Sequence, residues 1–222
     1  MKLSLVDWPG EVAAVVFTRG CNFRCPWCHN RHLVEPAPYA PALPQAGVLS
    51  YLAARRQLLT GVVVSGGEPT LQEDLASFLA RVKEMGYRVK LDTNGSKPDV
   101  LRNLLEEGLV DRLAVDYKVP LAEYAARVGW ADPGAVKQSL ELVRSRGCGE
   151  VRTTVVPGIH SLEVLRRMLH EVEVDPRTYR LQPFRPGSCL DPACDGLPAV
   201  SKESVAALEA ALHNDAVAGA HI

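Results

Sequence analysis

Residues 12–29 read VAAVVFTRGCNFRCPWCH, a valine-rich apolar run that leads directly into three cysteines. The run is too short to cross a bilayer, and its β-branched side chains favour a buried strand. Cys21, Cys25 and Cys28 fall within eight residues of one another. In a reducing compartment such crowding favours metal binding over a disulfide framework. The stretch therefore predicts a strand that ends in a metal-binding loop, residues 19–30.

The spacing C-x3-C-x2-C supplies three thiolates without a fourth cysteine nearby. A four-iron cluster needs one ligand for each iron, so three thiolates leave one iron open, and an open iron can hold a substrate. His29 follows Cys28 directly and offers the alternative of a zinc site with three cysteines and one histidine, although its adjacency makes that geometry awkward. On the residues alone, both kinds of metal site remain open.

Apolar, β-branched runs alternate with helical patterns along the chain. The predicted strands are 12–18, 61–65, 87–92, 110–116, 151–156 and 179–183, and the predicted helices are 44–58, 71–82, 98–107, 133–146, 161–170 and 200–213. This alternation predicts an α/β fold with parallel strands and crossover helices. We expect a single-domain partial (β/α)6 barrel over residues 1–222. Its C-terminal tail, residues 184–222, would carry a helix that caps the open edge of the barrel.

Polar or glycine-rich groups follow five of the predicted strands. The carboxyl ends of parallel strands share one rim, where reactive groups gather. The groups are the cysteines, S-G-G-E-P from Ser65, D-T-N-G from Asp92, Asp116 with Lys118, and V-P-G from Val156. Charged strand ends are costly to bury unless they pair or bind something, so a structural Asp–Lys pair stays open beside a functional set.

The charge balance limits the classes of partner. The 222 residues include 25 basic and 26 acidic side chains, which gives a formal charge of −1. A nearly neutral chain has no global field to attract nucleic acid or an anionic membrane. Asp7 and Glu11 precede the first apolar run, where a signal peptide would carry positive charge. We expect a cytoplasmic protein that binds neither nucleic acid nor membrane.

The cysteine loop resembles the signature of the radical S-adenosylmethionine (SAM) enzymes, in which an aromatic residue, here Trp27, precedes the last cysteine. The resemblance implies a [4Fe-4S] cluster whose open iron chelates the amino and carboxylate groups of SAM. Reduction of the cluster would then cleave SAM to a 5′-deoxyadenosyl radical. The implied cluster ligands are Cys21, Cys25 and Cys28, and the implied ligands of the SAM amino group are Ser65, Gly66, Gly67 and Glu68.

Further motifs resemble the activating enzymes of glycyl radical enzymes over residues 4–190. They are V-D-W-P-G, C-H-N, D-T-N-G, D-Y-K and V-V-P-G. The resemblance implies that a target glycine loop is placed by Asp7, Lys118 and Arg152. It implies that the cofactor, or a monovalent cation beside it, is supported by Asp92 and Asp116. It implies that adenine packs against Trp27, the backbone of His29, Val156, Gly158 and Ile159.

Two departures bear on the target. Trp8 replaces the glycine that is typical of pyruvate formate-lyase activators, and Gln182-Pro183-Phe184 stands where those proteins carry a histidine. The segment V-D-W-P-G is instead usual in activators of anaerobic ribonucleotide reductase. The resemblance thus implies an oxidoreductase that takes a hydrogen atom from a glycine of such a glycyl radical enzyme. Flavodoxin or ferredoxin would supply the electron.

Two other functions stay open. A radical SAM enzyme can act on a small molecule, as 7-carboxy-7-deazaguanine synthases do, but those enzymes usually show C-D-T where this chain has Cys28-His29-Asn30. A zinc-bound interaction domain would need no SAM. Cys189 and Cys194 share a late loop, where a second metal site, a resolving thiol pair or idle thiols are all open and idle thiols are favoured.

Overall fold

A computed structural model describes residues 2–34 and 41–219, so the last three residues of the predicted tail lie outside the described residues. The strands are β1 (Lys2–Ser4), β2 (Ala13–Thr18), β3 (Gly61–Gly66), β4 (Arg88–Thr93), β5 (Arg112–Asp116), β6 (Gly149–Val155) and β7 (Tyr179–Pro183). The helices are α1 (Arg31–Val34), α2 (Gln45–Ala53), α3 (Leu75–Glu84), α4 (Pro98–Glu106), α5 (Tyr124–Val128), α6 (Pro133–Arg146), α7 (Leu162–Val172) and α8 (Lys202–Gly219). The predicted alternation of strands and helices is confirmed.

Hydrogen bonds link the strands in sequence order from β1 to β7. Strands β2, β3 and β4 pair in parallel, and so do β6 and β7. Strand β1 is an addition to the six predicted strands and pairs antiparallel with β2. Its three residues are too few to show the alternating pattern by which a strand is recognised.

The chain forms two compact units, each assembled from separate segments. The first unit comprises Met1–Asn22, His32–Thr93 and Lys97–Ala114, and the second comprises Phe23–Arg31, Asn94–Ser96 and Val115–Ile222. Cys21 therefore belongs to the first unit, and Cys25 and Cys28 belong to the second. The single domain expected from the sequence stays a prediction.

The core of the first unit forms around the V-D-W-P-G segment. Trp8 is buried against Ala13, Val15 and Val63 on β2 and β3. Gly61 lets the indole lie close to the start of β3, because a Cβ there would come within 3.1 Å of the Trp8 ring. Burial of this large side chain fixes the segment that carries Asp7 against the sheet.

The second unit buries two tyrosine hydroxyls that are hydrogen-bonded. The hydroxyl of Tyr179 donates to Thr153 Oγ1 at 2.6 Å, and the hydroxyl of Tyr117 donates to Glu171 at 2.6 Å. Helix α8 lies beside β7, because the N–H of Leu181 donates to a carboxylate oxygen of Glu209 at 2.9 Å. The predicted C-terminal capping helix thus covers the last strand.

Some predicted bounds were wrong. The helix predicted over 44–58 ends at Ala53, since Leu58 and Leu59 donate their N–H groups to Arg55 in turns instead. The helix predicted over 71–82 begins at Leu75, after a short 3-10 turn. None of the helices built from the described residues combines the length and apolar character needed to cross a bilayer.

Candidate functional site

In the first unit the glycine-rich turn after β3 packs on the start of the cysteine loop. The N–H of Gly67 donates to Thr18 O at 3.1 Å, and the N–H of Glu68 donates to Gly20 O at 2.8 Å. A Cβ at Gly67 would lie 2.0 Å from Gly20 O, so only glycine permits this approach. The predicted meeting of the first two strand-end motifs is confirmed within this unit.

Glu68 is a fully buried carboxylate of the first unit. Its Oε1 accepts hydrogen bonds from the N–H of Thr70 at 3.0 Å, from the Thr70 hydroxyl at 2.6 Å and from the Thr93 hydroxyl at 2.7 Å. The carboxylate is thus oriented by Thr93 at the end of β4 and by Thr70 in the turn that follows Glu68. A carboxylate held in this way can receive a charge-assisted hydrogen bond from an ammonium group.

Lys90 is a residue of this region that sequence reasoning missed. It lies in β4 with only 2% of its surface exposed, and its Nζ donates to the carbonyl oxygen of Asp7 at 2.7 Å. The same Nζ lies 3.5 Å from Oδ1 of Asp92. The available signal was a lysine that precedes Asp92 by two residues in the strand sequence R-V-K-L-D-T, and so lies on the same face of the strand. A buried ammonium has to be paired, so such a lysine indicates a carboxylate partner.

Asp7 is held by its backbone on two sides. Ser4 Oγ accepts the N–H groups of Val6 at 3.1 Å and of Asp7 at 3.0 Å, while Lys90 binds the Asp7 carbonyl. The Asp7 side chain is half-buried. The predicted target-loop residue thus sits in a fixed turn.

In the second unit Cys25 and Cys28 form one tight turn, in which the N–H of Cys28 donates to Cys25 O at 3.0 Å. Cys25 is buried, and Cys28 is half-buried. The late loop, residues 184–197, supports this turn, since the N–H of Asp191 donates to Pro26 O at 2.9 Å. The late loop also engages His29, whose ring stacks on Phe184.

Asp116, Lys118 and Arg152 form an ion cluster with one more positive than negative charge. Lys118 Nζ lies 3.2 Å from Asp116 Oδ2, and Arg152 Nη2 lies 2.9 Å from Asp116 Oδ1. Burial would raise the pKa of the Asp116 carboxyl, but the two cations outweigh it and hold that pKa below its ordinary value. The sequence predicted these three residues as site residues, and the second unit brings them together.

Lys118 also interacts electrostatically with the cysteine turn. Burial alone would lower the pKa of Lys118, but the negative charges of Asp116, Cys25 and Cys28 outweigh it and raise that pKa above its ordinary value. Cysteines bind iron as thiolates, which carry negative charge. The donor set and its nearby cation therefore suit an iron–sulfur cluster.

His160 joins three segments of the second unit. Its Nδ1 accepts the N–H of Val156 at 3.0 Å, so the ring proton lies on Nε2, which donates to Lys118 O at 2.8 Å. The ring packs edge-on to Trp27 with centroids 6.2 Å apart. His160 thus ties the V-V-P-G turn to the D-Y-K segment and to the cysteine turn.

The residues expected to pack against adenine differ in exposure. Val156 is fully buried, whereas Ile159 is half-buried. Trp27 has 6% of its surface exposed. We therefore expect the Ile159 side chain, rather than that of Val156, to contact a ligand at this turn.

A single metal ion and a cluster place different demands on the chain. Among residues 2–34 and 41–219, no three His, Cys, Asp or Glu side chains surround a point suited to one metal ion. In a four-iron cluster each thiolate binds its own iron, so the sulfurs need not converge on one point. His29 is the ligand that a zinc site would need as its fourth. Its Nε2 lies 2.5 Å from Arg185 O, so the ring already has a partner in the late loop.

Sequence comparison identifies relatives of the whole site region. Residues 15–169 match the model of the radical SAM superfamily. The chain is 32% identical over 206 residues to a protein of Methanocaldococcus jannaschii named as a putative glycyl-radical enzyme activating enzyme, which covers 89% of this chain and 83% of that protein. It is also 29% identical over 168 residues to the 7-carboxy-7-deazaguanine synthase of Thermococcus kodakarensis, covering 62% of this chain and 64% of that protein.

Structural comparison gives the same fold. The crystal structure of Streptococcus suis SuiB bound to S-adenosylmethionine superposes with a TM-score of 0.63 at 16% sequence identity. The match covers 92% of this chain but only 46% of that one, so this chain spans under half of the solved structure. At this identity the likeness concerns the fold alone, and it confirms the predicted α/β partial barrel.

Proposed function

The chain belongs to the radical SAM superfamily, and from this premise we propose that it activates a glycyl radical enzyme by taking a hydrogen atom from a backbone glycine of that larger protein. The observation that carries the proposal is the match over 206 residues to a relative whose name assigns it to the glycyl-radical enzyme activating enzymes. The family implies a [4Fe-4S] cluster and SAM. When bound, these groups supply the 5′-deoxyadenosyl radical that abstracts hydrogen.

The chain's own residues would bind and orient these groups. Cys21, Cys25 and Cys28 supply the thiolates, and Glu68, fixed by three hydrogen bonds on Oε1, accepts the SAM ammonium. The two glycines before Glu68 allow the backbone to approach a ligand without side-chain interference. Such fixed polar groups fix the orientation of SAM before reaction.

The ion cluster of the second unit suits contact with a peptide loop. Its two cations are partly exposed, with Lys118 at 19% and Arg152 at 13% side-chain exposure. Ammonium and guanidinium groups donate hydrogen bonds to the carbonyl oxygens that an extended glycine loop presents. We assign Lys118 and Arg152 to placement of this loop, together with Asp7, whose turn is fixed by Ser4 and Lys90. A flavodoxin or ferredoxin would supply the electron.

A small-molecule substrate is the second candidate function. The similarity to 7-carboxy-7-deazaguanine synthase over 168 residues favours it. Against it stands the sequence Cys28-His29-Asn30 in place of C-D-T. His29 is engaged by the late loop through Phe184 and Arg185.

The shared chemistry is tested first. Anaerobically reconstituted protein should cleave SAM to methionine and 5′-deoxyadenosine under strong reductant. Cys25→Ala should lose one cluster ligand and this cleavage, whereas Cys148→Ala, at a half-buried cysteine outside the motif, should retain both. Cleavage by Cys25→Ala at the rate of the parent chain would contradict the cluster assignment.

The target is tested second. The reduced protein, mixed with SAM and candidate glycyl radical enzymes encoded beside its gene, should produce the doublet of a glycyl radical in electron paramagnetic resonance. The same mixture without SAM is the control. SAM cleavage that yields no doublet, but turns over a deazaguanine precursor, would favour the second candidate.

A further inference from the structure

The ammonium of Lys90 lies beside Asp92, one of the two aspartates that the resemblance would have support a monovalent cation. Asp92 ends β4 and is only 9% exposed, and Lys90 Nζ lies 3.5 Å from its Oδ1. Two residues earlier on the same strand, Lys90 points to the same face of the sheet as Asp92, because side chains alternate along a strand. The negative charge of Asp92 thus has an ion-pair partner on the same strand, although its buried Oδ1 accepts no hydrogen bond from the described residues.

A bound monovalent cation fits poorly beside this pair. A second positive charge close to Asp92 would be repelled by the Lys90 ammonium, and a buried site screens that repulsion weakly. In the second unit Asp116 already carries two cations, Lys118 and Arg152. Considered each in its own unit, the two aspartates predicted to support a cation are already charge-paired.

We propose that Lys90 is the resident counter-ion of Asp92 and replaces a monovalent metal cation in supporting this end of β4. The same ammonium donates to the Asp7 carbonyl at 2.7 Å, so it also positions the turn that carries the predicted target-loop residue. Lys90 is a positioning residue, since it acts through Asp7 and Asp92. Folding and SAM binding by this chain are therefore independent of Na⁺ and K⁺.

Thermal unfolding in different salts tests the counter-ion directly. The reconstituted protein is compared in KCl, NaCl and tetramethylammonium chloride at equal ionic strength, because tetramethylammonium is too large for a site of this size. The parent chain should unfold at the same temperature in all three salts. Lys90→Met leaves Asp92 without this ammonium, so K⁺ or Na⁺ should raise its unfolding temperature by about 3 °C over tetramethylammonium.

Two further variants separate a cation site from a general salt effect. Lys90→Met combined with Asp92→Asn removes both charges, and its salt dependence should disappear. Lys83→Met removes a lysine that pairs with Asp111 at the surface of the same unit, and it should show no preference among the three cations. A parent chain stabilised by K⁺ over tetramethylammonium would overturn the proposal, even if Lys90→Met does not fold. A folded Lys90→Met that ignores the cation would overturn it as well.

SAM affinity gives the second measurement, and this part rests on the proposed function. The dissociation constant of the parent chain should agree within about twofold in the three salts, while Lys90→Met should bind about tenfold more weakly in tetramethylammonium and recover in K⁺. A tenfold dependence in the parent chain would overturn the proposal. Absence of SAM binding in every variant would instead count against the proposed function, and the unfolding experiment would still decide the role of Lys90.

Discussion

His160 donates its Nε2–H to the backbone oxygen of Lys118 across 2.8 Å. The ring also accepts the N–H of Val156 at Nδ1, and this second bond requires the neutral form of the ring. A protonated ring would carry hydrogens on both nitrogens and would break the contact with Val156. His160 therefore bridges the D-Y-K segment and the V-V-P-G turn by both hydrogen bonds only while it is uncharged.

This tautomer predicts how stability depends on pH. Burial lowers the pKa of His160 below 6.5, while Arg127 lowers it and Glu123 raises it to smaller extents. Because the folded pKa lies below the unfolded value, the unfolded chain binds protons more tightly. The stabilisation is complete above pH 6.5 and is lost as the pH falls through the folded pKa, by at most about 1.4 kcal/mol per pH unit.

His160→Gln isolates this effect, since glutamine can donate and accept without titrating. The free energy of unfolding of both chains is measured with denaturant between pH 7.5 and pH 5. The difference between the two chains should become smaller as the pH falls, because only the parent chain loses the stabilisation that depends on a neutral His160. If the free energies of unfolding of the two chains changed in parallel with pH over the whole range, burial would not be lowering the pKa of His160.

Glu68 allows a test of SAM recognition that leaves the fold intact. Glu68→Gln keeps an oxygen for the donors Thr70 and Thr93 but replaces the second carboxylate oxygen by an amide that repels an ammonium. We expect a loss of about 1 kcal/mol in stability and about a 10- to 100-fold weaker affinity for SAM, measured by equilibrium binding under anaerobic conditions. Glu107→Gln, at the exposed residue that follows α4, is the matched control. Unchanged affinity in Glu68→Gln would place the ammonium elsewhere.

The sequence predicted the strands and strand-end motifs because their signals are local. A β-branched run such as that of β3 is recognised as a strand from its own sequence. The glycine pair followed by Glu68 likewise predicts a turn without any knowledge of the residues that pack around it. The strand sequence could indicate that Lys90 pairs with Asp92, but not that it binds Asp7, which is 83 residues away and accepts through a backbone oxygen. The role of His160 likewise depends on Lys118, 42 residues earlier. Contacts between distant segments depend on strand order, which periodicity alone does not determine.

Lys118→Met tests whether the ion cluster places the target. Asp116 keeps Arg152 as its partner, so the carboxylate is not left unpaired. We expect KM for the target protein to rise by about tenfold, while SAM cleavage without target changes by less than about threefold. Lys137→Met, on the exposed face of α6, should leave both quantities unchanged. An equal loss of both reactions would instead assign Lys118 to the cofactor.

The late-loop thiols should be inert, as the sequence favoured. Cys189 is fully buried, and burial together with the Asp195 carboxylate raises the pKa of its thiol to about 12. Burial also raises the pKa of Cys194. Only the thiolate reacts with iodoacetamide, so at pH 8 the folded protein should label Cys148 but neither of these two. Rapid labelling of Cys189, detected by peptide mass spectrometry, would instead indicate an exposed and reactive late loop.

Gly67 lies where the glycine-rich turn packs against the backbone of the cysteine loop at Gly20. A Cβ at Gly67 would lie 2.0 Å from Gly20 O and 2.7 Å from Gly20 C, and backbone atoms cannot move aside as a flexible side chain can. Gly67→Ala should therefore destabilise the chain by about 3 kcal/mol in denaturant unfolding and should lower the iron bound on reconstitution, since Cys21 directly follows Gly20. Gly47→Ala is the control, because nothing lies within 4 Å of its Cβ and alanine favours α2 by up to about 1 kcal/mol. Equal stability and equal iron content of Gly67→Ala and Gly47→Ala would contradict this prediction. The cysteine loop would then not depend on its close packing against the glycine-rich turn.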